Sequence, residues 1–308
     1  MSQSTSELVL PLDSADEAAQ LEAAPGLVSD LMVLTKARLS FLSIVTTFVG
    51  FCLASGGPLH WGLLFHTLLG TTLSAAAAAV LNQVVECRVD RLMERTRHRP
   101  IPAGRISRRA ALLLGLALTA AGPLYLWAMV NGVTAALAFA TIAIYVLIYT
   151  PMKRRTPFCT LVGAVAGAIP PVIGWAALRP AHEAGAWVLF GVLFAWQMPH
   201  FLAIAWMYRD EYRQAGFVML RREDNTGCAT AFDALLCTLG LTMVTIAPFT
   251  VGITAGVYLS GALALDCAFL FLGIQFLLER DRGSARRLFF GSIIYLPLVL
   301  AVMVLTRV

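Results

Sequence analysis

Residues 63–109 read LLFHTLLGTTLSAAAAAVLNQVVECRVDRLMERTRHRPIPAGRISRR. From Leu63 to Val85 there are 23 residues without an Asp, Glu, Lys or Arg, and a bilayer crossing needs about 20 apolar residues. From Glu86 the chain turns charged, with eight arginines before Ala110. An apolar run followed by a basic loop recurs along the chain. Apolar periodicity places nine spans near Leu39–Ser55, Leu63–Val85, Ala110–Val130, Thr134–Tyr149, Cys159–Leu178, Ala186–Met207, Phe232–Val251, Ala255–Leu278 and Leu288–Thr306. The fourth is short and needs support from its neighbours or a thinned bilayer. Composition agrees: 58% of the 308 residues are hydrophobic and 13% charged, against about 45–50% and 25% in soluble domains. Soluble, disordered, collagen-like and disulfide-scaffold folds are excluded. The fold class expected is all-α and polytopic.

Basic residues orient such a chain. If nine spans alternate, 21 of the 23 Lys and Arg residues fall on one side, and only Arg179 and Arg307 on the other. This predicts a cytoplasmic N-terminus and an exported C-terminus. It also accounts for the net charge of +5 through the lipid bilayer, with no nucleic acid partner. Residues 1–35 carry six acidic residues and no Lys or Arg before Lys36, which fits neither a transit peptide nor a signal peptide. They read as a flexible acidic tail ahead of a membrane domain spanning 36–308, in a prokaryotic plasma (inner) membrane. The six cysteines are scattered without C-x-x-C spacing and read as small buried apolar residues. The steps Gly163-x-x-x-Gly167 and Gly252-x-x-x-Gly256 read as helix packing.

Chemistry belongs in the long loops of the basic face. Asn82, Glu86 and Asp90 are spaced by four, so they share one helical face. Like charges one turn apart repel, and hard oxygen donors at this spacing suit Mg²⁺, which takes one or two carboxylates plus substrate phosphates. The spacing alone leaves open an ordinary solvated helix end. The arginines that follow, through Arg95 and Arg99, suit phosphate or an orienting loop on anionic lipid. Asp210 and Glu211 in W-M-Y-R-D-E-Y could supply the other half of a metal–diphosphate site, and Lys153 and Arg154 lie on the same face. His200, within the sixth span, is a candidate for haem iron, for proton transfer or for an interhelical hydrogen bond.

The stretch N-Q-V-V-E-C-R-V-D-R-L-M-E-R-T-R-H-R-P resembles the signature of the UbiA superfamily of intramembrane prenyltransferases, N-x-x-x-D-x-x-x-D, with Glu86 in place of the middle aspartate. Y-T-P-M-K-R-R-T-P from Tyr149, G-A-V-A-G-A-I-P-P-V-I-G-W from Gly163 and W-Q-M-P-H-F from Trp196 are similar to its haem-modifying branch. Arg221-Arg222-Glu223 departs from that pattern, where a proline-containing apolar continuation is expected.

The resemblance implies nine helices around a central cavity open to the cytoplasmic side. It implies transfer of farnesyl from farnesyl diphosphate to the 2-vinyl group of haem B, with water added to give haem O. Mg²⁺ is the implied cofactor, held by Asn82, Glu86, Asp90 and Asp210, with Arg99 and Lys153 on the diphosphate. Substrate contacts are implied for Arg95, Arg154, Tyr149, His200, Tyr208 and Glu211, and haem A synthase is a prospective partner. The rival readings are prenylation of an aromatic or quinone-precursor acceptor, a secondary transporter, and a haem-binding assembly factor without catalysis.

Overall fold

The computed structural model describes residues 26–308. Among them are nine helices long and apolar enough to cross a bilayer, and the only β-pairing is one isolated bridge, Thr254 to Arg307. A short helix α1 (Leu27–Leu34) precedes the spans α2 (Ala37–Ala54), α3 (Trp61–Asp90), α4 (Arg108–Met129) and α5 (Gly132–Met152). Then come α6 (Cys159–Ala176) and α7 (Ala184–Met207), and the short α8 (Arg209–Gln214). Spans α9 (Cys228–Thr250), α10 (Val257–Glu279) and α11 (Arg282–Leu305) complete the bundle.

Sequential antiparallel pairs form the frame, with α3 on α4, α6 on α7 and α10 on α11, while α2 packs across the bundle on α6. The most enclosed span is α6, 78% of it buried, against 22% for α4 and α5. Leu113, Trp127, Phe139 and Phe271, on outer spans, are left exposed, as lipid-facing side chains of a membrane bundle are. The centre is held by backbone contact. A Cβ at Gly174 would stand 1.9 Å from the Thr47 carbonyl oxygen, and one at Gly50 would stand 2.0 Å from that of Pro171. Lipid offers no hydrophobic drive between helices, so such close approach carries the association. Pro170 and Pro171 cannot donate within their helix. Thr47 Oγ1 donates 3.1 Å to the Pro170 carbonyl and ties α2 to this interrupted turn.

Two features shape the basic end. First, α3 runs beyond its apolar stretch and carries Glu86 and Asp90 in its last turn and a half. Second, the end of α5 contains a π-helical segment, Ile144–Tyr149. Pro151 has no N–H to give that ladder, and the Tyr145 carbonyl accepts both the amide and the hydroxyl of Thr150. Such segments often mark functional sites; here Tyr145 and Tyr149 are set 5.1 Å apart between ring centroids.

Several expectations need correcting. Residues 27–34 are not tail: α1 lies on the bundle because Asp30, 4% exposed, takes both Nε and Nη2 of Arg105 at 2.9–3.0 Å. Gln83 Nε2 also donates to the carbonyls of Val33 and Leu34. Residues 1–25 of the expected tail lie outside the described residues. Gly252 is a turn residue at φ 75°, not a packing step, whereas Gly163 and Gly167 do meet neighbouring side chains. Cys52, Cys87 and Cys159 are buried, but Cys228 and Cys267 are exposed.

Gly174→Ala should lower the thermal stability of the detergent-solubilised protein by about 1–3 kcal/mol, because the Thr47 backbone cannot give way. Gly57→Ala, with nothing within 4 Å of its added Cβ, should leave the melting curve in place.

Candidate active site

Asn82, Glu86 and Asp90 are all buried, at 0%, 7% and 0% exposure. Carboxylates this far from water require partners, and each group on this face has a basic one. Lys36 Nζ donates 2.6 Å to Asn82 Oδ1, and Lys153 Nζ donates 2.9 Å to Glu86 Oε1. Arg99 Nη1 donates to both oxygens of Asp90, at 2.9 and 2.8 Å. Three cations from three loops thus meet three oxygen donors on one helix face.

Each cation is anchored by its own loop. The loop after α3 folds back on itself, with Thr96 Oγ1 donating to the Asp90 carbonyl and the Arg105 and Ile106 amides donating to the Pro100 carbonyl. Lys153 Nζ lies 4.5 Å from the Tyr149 ring centroid and 5.9 Å from that of Phe217. Its carbonyl accepts from the Val218 amide at 2.7 Å, which joins this loop to the one after α8. Lys36 sits at the elbow between α1 and α2, left-handed at φ 50° and ψ 45°. That conformation costs a non-glycine residue about 1–3 kcal/mol and persists where tertiary contacts impose it; the Asn82 contact is such a restraint.

Burial pushes the Lys36 ammonium below the ordinary lysine range. Burial also opposes charge on Lys153, yet Tyr149 and Glu86 beside it hold its ammonium well above that range.

A cavity of about 660 Å³ opens over these pairs. Lys36, Glu86, Asp90, Arg95, Arg99, Tyr149, Lys153 and Tyr212 line it. Beneath it, a smaller cavity of about 180 Å³ runs into the bundle and shares Lys36 and Leu39 with the first. Its wall is built mainly of small residues, among them Ala75, Ala78, Ala79, Gly163 and Ala166. The hydroxyls of Thr71, Ser74 and Thr141 on that wall donate to carbonyls of their own helices. The surface left over is largely apolar.

Six expected site residues therefore line one cavity: Glu86, Asp90, Arg95, Arg99, Tyr149 and Lys153. Asn82 lies just behind it, committed to Lys36 and Thr150. Asp210 is not brought in; its side chain is 74% exposed, because the short α8 turns it to the surface. On that helix the inward group is Glu211, whose Oε2 is buried without a hydrogen-bond partner among the described residues. Arg154 is exposed. Tyr208 stands outside the cavity with Arg95 5.3 Å from its ring centroid. His200 is held by packing: Nδ1 is 2.6 Å from Ser292 Oγ, with Trp196 and Phe289 5.1 and 5.0 Å away. Lys36 and Tyr212 were not expected. Lys36 was visible in the sequence only as an orienting charge, and no pattern in the sequence singled out Tyr212.

No three His, Cys, Asp or Glu side chains gather around a common point among the described residues, so there is no all-protein metal cage. Two cavity-facing carboxylates backed by cations fit Mg²⁺ of the kind completed by substrate phosphates.

A family model described as the UbiA prenyltransferase family matches residues 43–294. A protoheme IX farnesyltransferase of Solibacter usitatus is 40% identical over 90% of this chain and 98% of its own. The Opitutus terrae protein of the same name is 42% identical over 91% and 95%. The mitochondrial one of Homo sapiens is 38% identical, covering 92% of this chain and 63% of the human protein. Among solved structures, a digeranylgeranylglyceryl phosphate synthase superposes with a TM-score of 0.77 at 14% identity, covering 91% of this chain and 98% of its own. A UbiA homologue of Archaeoglobus fulgidus bound to GPP and Mg²⁺ has a TM-score of 0.65 at 16% identity, covering 89% and 99%. At those identities the structures speak for the fold, and the sequence relatives for the family. With its acid–base ladder at the mouth of a nine-span bundle, the chain belongs to the UbiA prenyltransferase family.

Proposed function

We propose that this enzyme transfers the farnesyl group of farnesyl diphosphate to the 2-vinyl group of protohaem IX, with addition of water, giving haem O. The observation that carries the reading is the two-tier cavity. A charged chamber lined by Lys36, Arg99 and Lys153 opens onto an apolar one walled by small residues, in a chain 38–42% identical to proteins named for this reaction. A diphosphate headgroup suits the first chamber and a prenyl chain the second.

The three basic residues keep donors to spare. Arg99 uses Nη1 alone on Asp90, so Nε and Nη2 of its planar fork can grip phosphate oxygens without dissolving the pair. Lys153 spends one of three N–H groups on Glu86 and Lys36 one on Asn82, which leaves both able to donate to the leaving group. Charge that develops on the departing diphosphate is met by dipoles and cations already in place, and such preorganised groups are worth most where water is excluded. Glu86 and Asp90 would hold Mg²⁺, which when bound neutralises diphosphate oxygens as a Lewis acid. Tyr149 lines the outer chamber and Tyr145 the inner one, so aromatic rings stand near the junction, an environment that favours an allylic cation. Thr71, Ser74 and Thr141 on the inner wall spend their hydroxyl protons on carbonyls of their own helices, which leaves that part of the wall weakly polar toward a prenyl chain.

The excess of arginine on the basic face supports a cytoplasmic mouth and an exported C-terminus, in what we propose is a prokaryotic inner membrane; haem A synthase is the proposed recipient of the product. A phosphatase fused after Val308 should then be active outside the membrane, and one fused within residues 91–107 inactive.

In membranes supplied with haem B, farnesyl diphosphate and Mg²⁺, Glu86→Ala and Asp90→Ala should each lower haem O formation by about 10²-fold or more. Chelation of Mg²⁺ should abolish it. Asp210→Asn, at an exposed position, should stay within about twofold of the unsubstituted protein. Haem O formation undiminished in Asp90→Ala would remove that carboxylate from the site.

A further inference from the structure

The inner cavity is lined by a buried amide whose own helix satisfies it only in part. Gln197 on α7 is 6% exposed. Its Nε2 donates to the carbonyls of Ala164, at 3.2 Å, and Leu193, at 3.0 Å. Carbonyls only accept, so these two contacts decide which way the amide faces. Oε1 is turned to the other side, where it accepts no hydrogen bond from the described residues. It occupies the space a side chain at Gly167 would fill: a Cβ there would lie 2.0 Å away. Gln197 and Gly167 both line the inner cavity.

Oε1 is not among the sealed, unpartnered atoms of the described residues, so the cavity reaches it, and a prenyl chain has no donor to offer it. An occupant that carries an O–H or N–H group meets this oxygen where a hydrocarbon chain does not. The cavity, about 180 Å³, far exceeds the roughly 10–15 Å³ that one water requires. Ser43 and Tyr145 line the same cavity and offer hydroxyls as further partners of the kind a buried water takes.

We infer that Gln197 is a positioning residue: its Oε1 holds the water whose oxygen becomes the hydroxyl of the product. The inference rests on the haem farnesylation reading. In that reaction the C1–O bond of farnesyl diphosphate breaks, and the electron pair leaves on the diphosphate. The π pair of the vinyl group forms the new carbon–carbon bond to C1, which leaves positive charge on the vinyl carbon attached to the porphyrin. A lone pair of the water forms the carbon–oxygen bond there, and the released proton passes to the departed diphosphate. Nothing is oxidised or reduced by an outside reagent. An amide oxygen suits this task because it accepts one O–H and orients the lone pairs without removing a proton. A stronger base would create hydroxide beside the farnesyl cation and divert it to farnesol. When no water is in place, the porphyrin-side cation loses a proton from the adjoining carbon, and the farnesylated haem is lighter by one water.

The test is the mass of haems extracted from membranes given haem B, farnesyl diphosphate and Mg²⁺. Haem-independent release of diphosphate reports that the bundle and the charged chamber are intact. Gln197→Leu should raise the ratio of dehydrated farnesyl-haem to haem O by about tenfold or more while diphosphate release is retained. Gly167→Ala presses on the same oxygen from the facing helix, and only the far end of a flexible side chain must yield. It should move the ratio in the same direction. An unchanged ratio in Gln197→Leu with diphosphate release intact overturns the inference. Where Gln197→Leu releases no diphosphate, an unchanged ratio in Gly167→Ala overturns it equally. Unsubstituted membranes that release diphosphate but leave haem B unmodified would overturn the haem reading itself, a different result from either.

Discussion

Two carboxylates and an amide are buried in the last turns of α3, and everything at the mouth of the bundle is arranged around keeping them there. Removing charge from water is costly, and a buried pair repays that only when its geometry is good and its remaining valences are met. Loss of one partner from such a pair costs about 3–5 kcal/mol, so Lys36, Arg99 and Lys153 have little freedom to stand elsewhere. The elbow at Lys36, the back-folded arginine loop and the join between the Lys153 carbonyl and Val218 all hold a cation against α3. A site that must later accept a highly charged headgroup is thus built in advance, with the donors turned toward the cavity still unspent.

The bundle beneath serves a different physical demand. It has to come close enough to seal around an apolar chamber, and it does so with glycines and alanines where α2, α3, α5 and α6 meet. The same small residues that let backbones touch at Gly50 and Gly174 leave a narrow void at Gly163 and Ala166. Packing and cavity come from one compositional choice. Away from the site, Asp266 is buried in α10 and takes hydrogen bonds from Thr245 Oγ1 and Tyr295 OH. A polar clasp of this kind fastens the last three spans to one another.

Much of the site was legible because α-helical spacing is rigid. Asn82, Glu86 and Asp90 share a face by arithmetic, and the arginine loop that follows could scarcely lie far from them. The failures are equally physical. Asp210 and Glu211 are adjacent, so composition cannot say which points inward; that depends on the direction of the six-residue α8, which turns Asp210 to the surface. His200 in an apolar span suggested a ligand, yet its Nδ1 is met by Ser292 Oγ and its ring is packed between Trp196 and Phe289. Lys36 looked like one more orienting charge until the elbow brought it onto Asn82. Asp266 carried no signal, since a lone aspartate in a span names neither of its partners.

By itself the amino-acid sequence determined that the chain crosses a membrane nine times, which end of the bundle bears the charge, and which helix face offers oxygen donors. These follow from hydrophobic length, from the location of Lys and Arg, and from the period of the helix, all properties of segments taken one at a time. The pairing of cations with those donors, the inward turn of Glu211 and the orientation of the Gln197 amide were decided only in the tertiary structure. Each depends on groups brought together from distant segments, and a buried polar atom takes its orientation from whichever partner the fold sets beside it.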